Sequence, residues 1–254
     1  MKLDVISARW SRYPNSTSTD NQNKGDFMYQ YIFFDLDDTL FDFKKSQRFA
    51  FKALTEKLGL TDSDELFQQF EQYNVALWKD LELGKITKDA LLAQRFPNFF
   101  KDYTDTLPDE NLDDYYRHQL TVAGDLIAGS LEILEKLKAA DKKIYAASNG
   151  VYHTQLARLE KTGLLPYFNE LFISEKIGVP KPNAEFFLQS FAKINNFDLK
   201  SAIMIGDSLT SDIQGANNVQ LTTCWMNPNQ VTAPVNYKID YEITTLSDLD
   251  AILF

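Results

Sequence analysis

The chain has 254 residues, 44% of them hydrophobic and 24% charged, as in an ordinary globular protein. Its 36 acidic residues against 26 basic ones give a net charge of -10, which argues against a nucleic-acid polymer as partner, because backbone binding needs a basic face. One cysteine, Cys224, excludes an internal disulfide and points to a cytoplasmic location, and no apolar run nears the roughly 20 residues that span a bilayer, so no membrane partner is expected.

Residues 1–27 are polar and aperiodic and lack the apolar segment of a signal peptide. They are expected to be disordered or a non-native extension, with Met28 as a natural start. Residues 29–35 (YQYIFFD) read as a buried strand ending at Asp35. From Lys44 to about Gln119 the pattern is helical. Phe49, Leu54 and Leu58 are expected on one stripe, and Leu66, Phe70, Tyr73, Leu77 and Leu81 on the next, behind a cap at Ser63. ITKDALLAQRF and NLDDYYRHQL predict two more helices.

After Thr121 strands and helices alternate. SLEILEKLKAA, TQLARLEKTGL, AEFFLQSFAKINN and SDIQGANNV read as helices, the second ended by Gly163. KIYAASNG, SAIMIGDS and LTTCWMN read as strands, ELFISEKIG as a strand and loop, and YEITTLSDLDAILF as a last strand and helix. This order predicts an α/β fold, a Rossmann-like three-layer core with a parallel sheet. The core is assigned residues 28–43 and 122–254, with 44–121 as an all-helical insertion directly after the first strand.

In such a sheet ligands bind outside the carboxyl ends of the strands. Asp35, Asp37, Asp38 and Thr39 follow the first strand, Ser148 and Asn149 end the second, and Asp207 ends SAIMIG with Asp212 five residues on. Lys181 lies between two prolines in the loop ISEKIGVPKPN. A parallel sheet would gather these groups at one edge, where the carboxylates require a cation with oxygen ligands. A hydroxyl and a lysine beside them suit a phosphoryl group. An EF-hand reading of DLDDTL fails, because Leu40 and Ser46 stand where glycine and glutamate are required.

These residues resemble the haloacid dehalogenase-like hydrolase superfamily. DLDDT, Ser148, Lys181 in VPKPN and GDSLTSD are similar to its four motifs, in order, over residues 29–254. The helical insertion resembles the C1 cap of its type I members. DDTLFDF, SNGVYHTQLARLEKTGLLPYFNELFISEKIGVPKPN and GDSLTSDIQGANN are similar to the pyrimidine 5'-nucleotidase group. The resemblance implies a phosphate-monoester hydrolase using Mg2+, acting on a small phosphorylated metabolite, a nucleotide in the first instance. It implies Asp35 as nucleophile and Asp37 as general acid and base. It further implies Ser148, Asn149 and Lys181 as phosphate ligands. The metal would be held by Asp35, Asp207 and the carbonyl of Asp37, with Asp212 in its outer shell.

Other readings remain distinguishable. Sugar phosphates are alternative substrates, and a phosphosugar mutase shares both aspartates. A dehalogenase needs no acid at position 37, since halide leaves unprotonated. A silent binding module predicts loss of Asp35, Asp37, Lys181 or Asp207, and none is lost. Phe41, Phe43 and the stretch Trp78 to Ile86 are candidates to stack on a base or to pack the insertion. His118, His153 and Cys224 read as structural or solvent-facing, with His153 a candidate for the pocket mouth.

Overall fold

The computed structural model describes residues 29–254, so the expectations for residues 1–27 and Met28 lie outside the described residues. The chain enters through β1 (Tyr31–Phe34), a run of aromatic and β-branched residues suited to a pleated strand. Ile32 and Phe34 pack on one face of the sheet and Phe33 on the other, as period-two geometry requires. β2 (Lys143–Ser148), β3 (Glu170–Ile173), β4 (Ala202–Gly206), β5 (Thr222–Met226) and β6 (Tyr241–Ile243) complete one sheet in the order β3-β2-β1-β4-β5-β6. All pairings are parallel, with Tyr31 opposite Lys143 on one side and Ala202 on the other. The chain leaves β1 toward β2 and β3, then returns to β1's other side at β4. That reversal opens a crevice at the carboxyl ends of β1, β2 and β4.

Between β1 and β2 run α1 (Phe43–Lys57), α2 (Asp64–Glu82), α3 (Lys88–Phe100), α4 (Leu112–Ala123) and α5 (Ser130–Ala139). The later helices are α6 (Tyr152–Thr162), α7 (Ser174–Ile177), α8 (Ala184–Ala192), α9 (Gly215–Asn217) and α10 (Asp250–Leu253). Leu134 and Leu137 of α5, Leu159 of α6 and Leu253 of α10 cover one face of the sheet. Phe186, Phe187 and Phe191 of α8 and Ala216 of α9 cover the other. The sheet is thus the middle of three layers, as the sequence predicts.

Helices α1 to α4 bury a separate cluster that includes Phe51, Phe70, Phe96, Phe99, Phe100 and Tyr116. Phe51 stacks on Phe70 with ring centroids 4.6 Å apart. Side chains of Asp42, Ser63, Thr87 and Asn111 cap the four helices, accepting from backbone N–H groups of the first turn. The helices start one residue before position 44 and end two after position 121.

Four local features differ from expectation. Phe49 is 45% exposed while Ala50, Phe51 and Leu54 are buried. Five residues from Leu54 place Phe49 roughly 140° round the helix, off the stripe. Helix α3 continues through Pro97 to Phe100, where the sequence pattern stops at Phe96. Burial of Phe99 and Phe100 offsets the backbone bond that Pro97 cannot donate. SDIQGANNV is not one regular helix: a π-helical turn over Leu209–Gln214 precedes the short α9. The loop after β3 likewise begins with α7. Among the described residues no helix is long and apolar enough to cross a membrane.

Candidate active site

The predicted residues meet at the crevice. Asp35, Asp37, Ser148, Asn149, Lys181 and Asp207 line one cavity of about 210 Å³. Asp212 lies fully buried behind it. Asp35 follows β1 directly, its N–H donating to the Ile205 carbonyl at 2.9 Å, so the neighbouring strand fixes its backbone. The chain then folds back. Asp38 takes a left-handed φ of 55°, and the Asp38 N–H donates to the Phe41 carbonyl at 2.8 Å. Aspartate tolerates that conformation better than most residues. This turn brings Asp37 round to the pocket that holds Asp35, which an extended segment would not do.

Lys181 is 1% exposed and carries the charge balance. Its Nζ donates to Asp35 Oδ1 and to Asp212 Oδ1, each at 2.6 Å, and to the Ala147 carbonyl. All three ammonium protons are engaged, so in this arrangement Lys181 reaches an anionic ligand through its charge. Burial alone would pull Lys181 down, but Asp212 and Asp35 outweigh it and hold the lysine protonated. Burial pushes Asp35 up to about 8, with Lys181 opposing and Asp212 and Asp37 adding to the rise. Burial, then the charges of Asp212 and Asp35, lift Asp207 well above the usual carboxylate range.

Carboxylate oxygens of Asp35, Asp207 and Asp212 lie within 4.8 Å of one another. Ionised together, the three carboxylates would outnumber the one lysine, and burial with their mutual repulsion is what pushes Asp35 and Asp207 up. An all-oxygen donor set that must shed protons or gain a counter-charge fits a hard divalent cation such as Mg2+. Asp212 is the least available of the three, because Lys181 and the Ser208 N–H, at 3.0 Å, occupy its two oxygens. Asp207 is steadied by Thr39 Oγ1, 3.4 Å from its carboxylate, and by Trp225 Nε1, which donates to its carbonyl at 2.7 Å.

Ser148 Oγ accepts from the Gly150 N–H at 3.0 Å and from Gln155 Nε2 at 3.1 Å. Both lone pairs are used, so its hydroxyl proton is left to donate into the cavity. The Asn149 side chain pairs with the backbone of Lys181, at 2.8 and 2.9 Å, and fastens the two loops together.

The sequence reading missed several residues of this site. Arg158 and Gln155 of α6 both bind Asp37. Arg95 of α3 and Arg117 of α4 line the cavity and share Asp113. Lys88, at the start of α3, donates to the carbonyls of Asn149 at 2.7 Å and Gly150 at 2.9 Å and to Ser174 Oγ at 2.8 Å. Burial pulls Lys88 down to about 8, against the charges of Glu175 and Asp89. Gln155 and Arg158 stand three apart on one face of a helix that directly follows Ser148-Asn149-Gly150, and that spacing was the available signal.

Of the residues considered for substrate contact, Phe43 and Trp78 line the cavity with Glu82, whereas Phe41 is buried in the core. His118 and His153 are exposed, and neither lines the cavity. Cys224 is buried in β5, and burial pushes its thiol up to about 12.

Known proteins are similar to this chain in sequence and fold. The chain is 37% identical over 221 residues to the pyrimidine 5'-nucleotidase PynA of Streptococcus pneumoniae, covering 87% of this chain and 93% of that one. It is 31% identical over 225 residues to the pyrimidine 5'-nucleotidase YjjG of Escherichia coli, covering 89% and 98%. The HAD-hydrolase YfnB of Bacillus subtilis, solved bound to magnesium and showing interdomain movement, superposes with a TM-score of 0.80 at 35% identity, over 89% of this chain and 98% of that one. A model of the haloacid dehalogenase-like hydrolases matches residues 29–220, and with three quarters of its length inside that match the chain belongs to this family.

Proposed function

We propose that the protein is a magnesium-dependent phosphate-monoester hydrolase of the cytoplasm, acting on pyrimidine nucleoside 5'-monophosphates. The observation that carries the reading is the convergence of Asp35, Asp37, Ser148 and Lys181 on one cavity beside the Asp207 carboxylate. The nucleotide preference draws on the similarity to two pyrimidine 5'-nucleotidases.

In this reading residues 28–43 and 122–254 are the catalytic core and 44–121 the cap. Lys181 occupies Asp35 Oδ1 and leaves Oδ2 to attack phosphorus. The bond from phosphorus to the leaving oxygen breaks, and that oxygen takes a proton from Asp37. The Asp37 carboxylate then removes a proton from water, which attacks the aspartyl-phosphate and releases inorganic phosphate and free Asp35. Ser148 and the Asn149 N–H hold the phosphoryl oxygens while the Lys181 charge faces them. Asp35, Asp207 and the Asp37 carbonyl would hold Mg2+, with Asp212 outside them. When bound, the ion offsets charge on the phosphoryl oxygens.

A phosphate-release screen over nucleotides, sugar phosphates and p-nitrophenyl phosphate, with magnesium and with EDTA, tests the reading. Pyrimidine monophosphates are expected to lead, EDTA to abolish turnover, and Asp35→Asn to be inactive on every substrate. A profile led by sugar phosphates would replace the substrate class. Normal turnover by Asp35→Asn would remove the mechanism.

A further inference from the structure

We infer that Gln155 and Arg158 are positioning residues that clamp the Asp37 carboxylate and tie it to the phosphate-binding hydroxyl of Ser148; this rests on the acid–base role proposed for Asp37. Arg158 Nη1 donates to Asp37 Oδ1 and, at 3.0 Å, to Gln155 Oε1. Gln155 Nε2 donates to Asp37 Oδ2 at 2.7 Å and to Ser148 Oγ at 3.1 Å. Each carboxylate oxygen is therefore gripped once, which stops rotation about the last side-chain bond. Each also keeps a second lone pair, and the side chain remains 30% exposed beside the cavity. The clamp thus fixes Asp37 without filling the positions that exchange a proton.

Packing alone does not account for these side chains. Arg158 is 1% exposed, among the largest fully buried side chains of the described residues. Its Nε and Nη2 have no hydrogen-bond partner within the protein. A buried guanidinium is a poor stabiliser compared with an apolar residue of equal volume, so its presence is informative. Asp37 is the one carboxylate it pairs with among the described residues. The guanidinium lies against two aromatic rings, its Cζ 4.1 Å from the centroid of the Phe41 ring and 5.8 Å from that of Phe43. Phe41 closes the turn after Asp37 and Phe43 begins α1, so the segment that carries the acid also shelves the arginine that grips it.

Gly150 completes the device. A Cβ there would lie 2.5 Å from Gln155 Nε2 and 2.9 Å from its Cγ and Cδ. Only an unsubstituted position lets the amide reach between Asp37 and Ser148.

The test separates positioning from bulk stability by leaving-group dependence. A poor leaving group needs the proton that Asp37 delivers, and p-nitrophenolate hardly does. The first step, release of alcohol or phenol in a single turnover with enzyme in excess, is measured on p-nitrophenyl phosphate, phenyl phosphate and uridine 5'-monophosphate. Arg158→Met is expected to lose less than about 10-fold on p-nitrophenyl phosphate and about 1,000-fold on uridine 5'-monophosphate, with phenyl phosphate between. Half-saturating concentrations should move by less than about 3-fold, and Arg158→Lys should recover part of the loss.

Gln155→Leu and Gly150→Ala are run alongside, since either loosens the clamp with Arg158 in place. The same graded loss is expected from both and carries the test if Arg158→Met does not fold. Equal losses on all three substrates, or none, in the folded variants would overturn the clamp. Asp37→Asn is the reference: if it shows no leaving-group dependence, the acid–base reading has failed. If it does and the clamp variants do not, the clamp has failed and the reading stands.

Discussion

Gly206 ends β4 one residue before Asp207, and a Cβ there would stand 2.2 Å from Asp212 Oδ2 and 2.4 Å from its Cγ. Asp212 is fully buried and holds Lys181, so it has no room to yield. Gly206→Ala is expected to cost about 3 kcal/mol, from overpacking and from disturbing a buried ion pair. Urea unfolding checks the cost, and kcat should fall with it. The sequence alone made Asp35, Ser148, Lys181, Asp207 and Asp212 legible as one group, because strand ends in a parallel sheet face the same way. Arg158, Gln155 and Lys88 were not legible. They sit inside or at the start of helices, where an arginine, a glutamine or a lysine is ordinary surface chemistry. Only the three-dimensional path of α3 and α6 turns them inward.

At the scale of elements, α3 is joined to the loop after β2 through one ammonium, that of Lys88. Lys88 is pulled down to about 8 in the folded chain, below the roughly 10.4 of a free lysine. Below pH 8 both states carry the proton and the folded chain bears the cost of burying it. Between about pH 8 and 10.4 the folded state releases the proton first, so this lysine's contribution becomes more favourable as pH rises. The difference in unfolding free energy between the unmodified chain and Lys88→Met is expected to shift toward the unmodified chain across that window. The slope is at most about 1.4 kcal/mol per pH unit, measurable by urea unfolding at several pH values. The element boundaries were read from periodicity and capping residues. That worked for α2 behind Ser63 and for α6 before Gly163, where the chemistry of the end is local. It failed at Pro97 and around Leu209–Gln214, where tertiary packing and the placing of Asp212 override local preference.

At the scale of the molecule, helices α2 to α4 meet the rest of the chain through polar ties. Besides Lys88, Thr210 Oγ1 donates to Glu82 Oε2 at 2.9 Å and Arg117 Nη1 to Thr154 Oγ1 at 3.3 Å. Hydrogen bonds of this kind contribute about 1 kcal/mol each and are remade readily with water. The cavity of about 210 Å³ that these ties border is smaller than the usual range for ligand sites. The central position of β1 sets a different limit, on the order of assembly. β1 gains its two neighbours only when Lys143 and Ala202 have arrived, long after Asp35 leaves the ribosome. Helices α1 to α4 find partners nearby in the chain and are free to form early, while the crevice waits for the most distant pairing. Refolding followed by far-ultraviolet circular dichroism should therefore regain much of its helical signal before phosphatase activity returns. Asp35, though encoded near the start, gains its backbone partner Ile205 only when β4 closes against β1, which makes returning activity a report on the pairing that is most distant in sequence.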